Sequence, residues 1–186
     1  MYLASGNPHK AVELGRLLGA GVEILQGLPE VEETGTTFLE NARLKARAAR
    51  PWAPSDAWVL ADDSGLTVRA LDGAPGVRSA RYGGPGLDDA GRVRHLLSEL
   101  GDADDRDAAF VCVLVALAVD GREVVAEGVL EGSIAREPRG AGGFGYDPVF
   151  VPRGGHRTVA ELSPREKDAV SHRGRAARTL RAALDA

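Results

Sequence analysis

The stretch Trp58 to Leu66, Trp-Val-Leu-Ala-Asp-Asp-Ser-Gly-Leu, constrains the fold more than any other, because an apolar run drives straight into two adjacent carboxylates. Val59, Leu60 and Ala61 predict a short buried strand. Asp62-Asp63-Ser64-Gly65 then supplies hard oxygens and a glycine at the strand's C-terminal end, where α/β folds place their chemistry. The same four residues also suit a plain polar turn, since Asp, Ser and Gly bond their own backbone. If the strand persists, Asp62 and Asp63 point to opposite faces and do different work. A carboxylate facing a cleft there either holds Mg²⁺, which shares oxygen ligands with substrate phosphates, or activates a water as general base. Asp63 is the candidate for both roles.

The chain of 186 residues is 44% hydrophobic, enough for one domain with a sizeable core, with room for elaboration into two lobes. Its net charge of -4 argues against general nucleic-acid binding and leaves room for a local basic pocket. Cys112 is the one cysteine, so no intrachain disulfide forms. It lies in the apolar run Ala108 to Val119, too short to span a membrane and suited to a core strand. No basic region followed by a long apolar segment opens the chain, and the expected location is the cytoplasm. Of 23 basic residues, the only lysines are Lys10, Lys45 and Lys167. A compact ammonium on a flexible stem does what a planar guanidinium does not, so all three are site candidates.

Tyr2 to Ala4 predicts the first strand, followed by Ser5-Gly6-Asn7-Pro8-His9-Lys10 and an amphipathic helix to about Leu18. Asn7 is placed to cap that helix and Pro8 to open it. Lys10 in the first turn makes this either a phosphate cradle or an ordinary capped start. The spacing is not that of a Walker A loop. Val22 to Leu25 reads as a second strand. Glu30, Glu32 and Glu33 follow in an acidic loop, either solvated surface or the source of a second metal ligand, and Glu33 is preferred. Thr37 to Glu40 fits a capping box, and Asn41 and Lys45 share one face of the helix behind it. Asp88 to Leu100 reads as a helix. Phe110 to Val119 and Glu123 to Ala135 read as two strands joined at Asp120-Gly121.

Gly140 to Gly145 matches Gly-x-Gly-x-x-Gly but leads into a strand at Val149 to Val151, so it is no dinucleotide fingerprint. It reads as a flexible loop presenting Phe144, as a base-stacking surface or a packing anchor, beside Asp147 as an acceptor. Ser171 is placed to cap a C-terminal helix whose inward stripe is Ala177, Leu180 and Leu184. His172 and Arg173 then sit at the positive end of that helix, where cations are disfavoured without a purpose. Lys167 lies just upstream.

Together, Ser5 to Lys10, Glu33-Thr34-Gly35, Phe38-x-Glu40-Asn41-Ala42-x-x-Lys45-Ala46, Ala61 to Leu66, Gly73 to Gly76, Ser79 to Tyr82, Gly142 to Pro148 and Ser171-His172-Arg173 closely resemble the inosine/xanthosine triphosphate pyrophosphatase family. The resemblance runs in order over nearly the whole chain. It implies one α/β domain over 1–186, an elongated, two-lobed mixed sheet flanked by helices with the active cleft between lobes. It further implies a homodimer that hydrolyses ITP, dITP and XTP to monophosphate and pyrophosphate with Mg²⁺. By position, Ser5, Gly6, Asn7, Pro8, His9 and Lys10 would hold phosphates, Asp63 would bind metal and activate water, and Ser64 would contact substrate. Phe144, Gly145, Tyr146, Asp147, Lys167, His172 and Arg173 would take the base and sugar, and with His172 and Arg173 as donors to a 6-keto purine, Arg173→Ala would narrow a preference for ITP over ATP. Ser5 stands where the family commonly has Thr and keeps the hydroxyl. A nucleotide sensor without turnover and a phosphatase for another metabolite remain the alternatives.

Overall fold

The computed structural model describes residues 1–19 and 22–185. The strands are β1 (Tyr2–Ala4), β2 (Glu23–Ile24), β3 (Val59–Val68), β4 (Asp107–Leu117), β5 (Glu123–Ile134) and β6 (Phe150–Pro152). The helices are α1 (Pro8–Leu18), α2 (Phe38–Ala49), α3 (Asp89–Leu100), α4 (Pro164–Val170) and α5 (His172–Leu184). The strands form one mixed sheet in the order β2-β1-β3-β4-β5-β6. β1 runs parallel to β2 and β3, and β6 is antiparallel to β5. No helix among the described residues is long and apolar enough to cross a membrane.

The chain divides into two compact units, and β3, β4 and β5 contribute residues to both. Unit 1 holds Met1–Ser64, Cys112–Gly128 and His172–Ala186. Its core is built on Leu3, Leu14, Leu60, Leu114 and Leu180, with the small residues Ala176 and Ala177 of α5. Unit 2 holds Gly65–Val111 and Val129–Ser171. Here Leu66, Leu96, Phe110 and Phe150 anchor the core, the two phenyl rings lying 4.4 Å apart between centroids.

Local chemistry accounts for most helix starts. Asn7 caps α1, with Pro8 as its first residue, and Thr37 with Glu40 closes a reciprocal capping box on α2. Asp88 accepts from the Gly91 amide at 2.7 Å and caps α3. One reading of the sequence is corrected. The central strand does not stop at Ala61; β3 continues to Val68, carrying both aspartates in mid-strand, because each carboxylate meets a cation from a neighbouring helix. Ser171 closes α4, its amide donating to the Lys167 carbonyl at 2.8 Å, and directly precedes His172, the first residue of α5.

Candidate active site

Strand alternation sets the site in unit 1. Leu60, Asp62 and Ser64 share one face of β3, and Ala61 and Asp63 share the other. Leu60 packs into the core that includes Ala11 and Leu14 of α1 and Ala176, Ala177 and Leu180 of α5. Asp62 therefore faces two helices that bring cations. β1 pairs with β3 so that Ala4 stands beside Ala61, which starts α1 next to Asp62. Lys10, in the first turn of α1, forms an ion pair with Asp62 Oδ1. Ser64 Oγ donates to the same oxygen at 3.1 Å. On Oδ2, the Arg173 Nε of α5 donates at 3.2 Å, as does the Cys112 thiol.

Arg173 is 1% exposed, and its guanidinium joins three elements. Besides Asp62, Nη1 donates to Glu13 Oε2 of α1 at 2.6 Å and Nη2 to Ser64 Oγ at 2.8 Å. Two carboxylates and two cations thus cancel in the buried cluster, the condition under which burial of charge is tolerated. Burial would push Asp62 up, but Lys10 and Arg173 outweigh it and hold the carboxyl far below the usual range. Burial and the adjacent Asp62 charge push the Cys112 thiol well up, so it stays neutral.

The opposite face of β3 is electrostatically different. Lys45 of α2 donates from Nζ to Asp63 Oδ1 at 2.7 Å, pairs with Glu33 Oε1 at 2.6 Å, and reaches the Asp62 carbonyl at 3.3 Å. Two carboxylates thus share the Lys45 ammonium. Asp63 Oδ2 is buried and has no hydrogen-bond partner among the described residues. Burial raises the Asp63 pKa and Glu33 adds to it, against the opposing pull of Lys45 and Lys10. Burial works against the Lys45 charge, but Asp63 and Glu33 together raise its pKa.

This donor set fits Mg²⁺, which takes one or two carboxylates and completes its octahedron with water and phosphate oxygens. No group of three or more His, Cys, Asp or Glu side chains poised for a metal occurs among the described residues, so a cation here would rely on such outside oxygens. Of the acidic loop's carboxylates, Glu33 is the one paired with the ammonium that also holds Asp63.

The Ser5 to Lys10 turn is more self-contained than a bare anion cradle. Asn7 Oδ1 accepts from the His9 and Lys10 amides at 2.9 and 3.3 Å, and Ser5 Oγ accepts from the Asn7 amide at 3.2 Å. His172 opens α5 and is buried beside Arg173 in sequence.

Unit 2 assembles a second constellation. Asp147 Oδ2 accepts from Lys167 Nζ at 2.7 Å and from the Phe144 amide at 2.9 Å, with Asp147 and Lys167 both buried. The Lys167 ammonium lies over the Phe144 ring, 4.7 Å from its centroid. A Cβ on Gly143 would come within 2.0 Å of that carboxylate oxygen, and its φ of +71° suits glycine alone. Gly145 donates to Asp89 Oδ2 at 2.7 Å, and the Tyr146 hydroxyl donates to the Ser79 carbonyl at 2.9 Å. The glycine loop is therefore pinned at several points, not the flexible segment its composition suggests.

Sequence reasoning assigned no role to Glu13 or Asp62 and left Lys45 a bare candidate. The signal for Glu13 was an acidic residue next to the inward Leu14 and one turn after Lys10. For Lys45 it was the face shared with Asn41.

The architecture is that of an α/β protein whose inner strand carries a doubly paired carboxylate on one face and, on the other, a carboxylate that shares Lys45 with Glu33. The chain belongs to the Ham1 family, whose profile matches residues 1–183. It is 51% identical to the dITP/XTP pyrophosphatase of Mycobacteroides abscessus, over 97% of this chain and 92% of that protein. With the dITP/XTP pyrophosphatase of Mycobacterium tuberculosis it shares 52% identity over 99% and 94% of the two chains. The solved structure of a HAM1 protein from Coxiella burnetii superposes with a TM-score of 0.88 at 44% identity, covering 99% of this chain and 97% of that one.

Proposed function

We propose that this chain hydrolyses deaminated purine nucleoside triphosphates, ITP, dITP and XTP, to nucleoside monophosphate and pyrophosphate, and so cleans the nucleotide pool. Residues 1–186 would act as one catalytic domain, as a homodimer in the cytoplasm. The relatives named for dITP and XTP support the substrate class. The observation that carries the chemistry is Asp63: a buried carboxylate with raised pKa and an oxygen without a hydrogen-bond partner among the described residues, sharing one ammonium with Glu33.

Asp63 and Glu33 would hold Mg²⁺, which when bound supplies positive charge to the phosphates. Asp63 takes the proton of the attacking water, whose oxygen bonds to phosphorus as the α–β phosphate linkage breaks and pyrophosphate leaves. A general base whose pKa lies closer to neutrality serves better than an ordinary aspartate. Lys45 keeps the Asp63 carboxylate oriented. Lys10, with Ser5 to His9, meets the triphosphate tail, and Ser64 contacts substrate from the Asp62 side. Phe144, with Gly145, Tyr146, Asp147 and Lys167, takes the base by stacking and hydrogen bonding, with His172 at the nucleoside end, while Arg173, its donors engaged by Asp62, Glu13 and Ser64, holds the Asp62 face in place.

Incubation with ITP and Mg²⁺, followed by separate assays of pyrophosphate and orthophosphate, tests the reading. One pyrophosphate per ITP consumed is expected, with no orthophosphate. Orthophosphate as the product would make the chain a phosphatase, and binding without turnover would make it a sensor.

A further inference from the structure

The face of α2 that carries Lys45 carries Asn41 one turn earlier, and Asn41 is 0% exposed. Its Oδ1 accepts from the Gly35 amide at 2.8 Å, two residues beyond Glu33. The contact is tight. A Cβ on Gly35 would lie 2.6 Å from Asn41 Oδ1 and 2.7 Å from Glu40 Cβ, so any side chain at position 35 forces the loop off the helix. Immediately downstream, the Thr36 and Thr37 amides donate to Glu40 Oε2 at 2.7 and 3.1 Å. These bonds join the end of the acidic loop to the start of α2.

The bond is also made at a cost. Asn41 Nδ2 is buried with no hydrogen-bond partner among the described residues, an unfavourable state for a buried donor. What the amide provides in return is the fixed distance between the Gly35 backbone and α2, and with it the reach of Glu33 to Lys45.

We propose that Asn41, with Gly35, is a positioning residue that sets the Glu33 carboxylate for the cation. The inference rests on the reading of Asp63 and Glu33 as metal ligands. Asn41 touches neither substrate nor metal in this account. It fixes one ligand through the loop backbone, as groups outside a metal's immediate ligands commonly do.

The test is Mn²⁺ affinity, read by electron paramagnetic resonance on the full-length protein without nucleotide, for wild type, Glu33→Gln, Asn41→Ala and their double variant. Asn41→Ala should weaken Mn²⁺ binding about tenfold, within the range for groups that orient a ligand. The double variant should be no weaker than Glu33→Gln alone, since both changes act through one carboxylate. Gly35→Ala leaves the α2 side chains intact and should reproduce the loss if Asn41→Ala fails to fold. Wild-type Mn²⁺ affinity in Asn41→Ala or Gly35→Ala, with Glu33→Gln impaired, overturns the positioning role alone, and so do losses that add in the double variant. Unchanged affinity in both Glu33→Gln and Asp63→Asn would instead overturn the metal reading, and the positioning role with it.

Discussion

Asp62 and Asp63 are covalent neighbours on one strand, yet their two faces of β3 place them in opposite electrostatic states. Asp62 receives Lys10 and Arg173 and is held far below the usual carboxylate range. Asp63 shares Lys45 with Glu33 and has a raised pKa and one oxygen without a hydrogen-bond partner among the described residues. The difference is not one of burial, for both are buried. It lies in how many cations each face supplies. A carboxylate that is fully paired is a structural tie. One left short of positive charge is a site for a cation or a proton.

The largest expected effect separates the two by chemistry. Asp63→Asn should lower turnover of ITP by about 10² to 10⁴, the usual contribution of a general base, while nucleotide binding measured by calorimetry persists. Near-normal turnover would remove Asp63 from the mechanism and hand its role to Asp62 or the acidic loop. Next in size, Asp62→Asn should destabilise the fold by about 3 to 5 kcal/mol in urea unfolding, because it leaves the buried Arg173 and the partly exposed Lys10 short of an anion. Were Asp62→Asn fully stable but inactive, the division of labour between the faces would be wrong.

The halves of this contrast were not equally legible in the sequence. The paired aspartates, the caps at Asn7 and Thr37, and the hairpin around Asp120-Gly121 all depend on neighbours within a few residues, and the local pattern carries them. The cations that let β3 run through its charges come from far away in the chain. Arg173 reaches Asp62 across 111 residues and Glu13 across 160. No local propensity encodes such pairing, so the strand seemed to end where its charges began. α4 is a different case. Ser163 and Glu166 form a capping box with Pro164 at the first position, a readable signature passed over because the helix it starts has only 7 residues.

Arg173 sharpens the comparison further. With Nε, Nη1 and Nη2 all engaged by Asp62, Glu13 and Ser64, its removal takes one of two cations from Asp62 and the guanidinium from Glu13 at once. The engaged guanidinium changes the outcome expected for Arg173→Ala: a stability loss of about 3 to 5 kcal/mol, with rates on ITP and ATP falling together. A narrowed ITP/ATP ratio at unchanged stability would return Arg173 to base selection. Lys10, partly exposed, should matter less to the fold. Lys10→Ala should weaken triphosphate binding more than binding of the free nucleoside, and equal losses would count against a role at the phosphates.

The smallest effect tests the Asp63 face through its proton. Its native pKa lies above the ordinary value of about 4, so between those two values the unfolded chain has released a proton that the native chain still holds. Stability therefore falls as pH rises through that window, the reverse of what Asp62 does. Asp62, with its depressed pKa, contributes stability above the ordinary carboxylate value that is lost only as pH drops well below it. Asn at position 63 mimics the protonated form. The melting temperature of Asp63→Asn should match wild type at about pH 4 and exceed it at about pH 7. Mg²⁺ should close that gap by stabilising wild type, by about 2.7 kcal/mol at a hundredfold excess over its dissociation constant, with little effect on the variant. If Asp63→Asn melts below wild type across the whole range, Lys45 satisfies Asp63 as fully as Lys10 and Arg173 satisfy Asp62, and the two faces are alike.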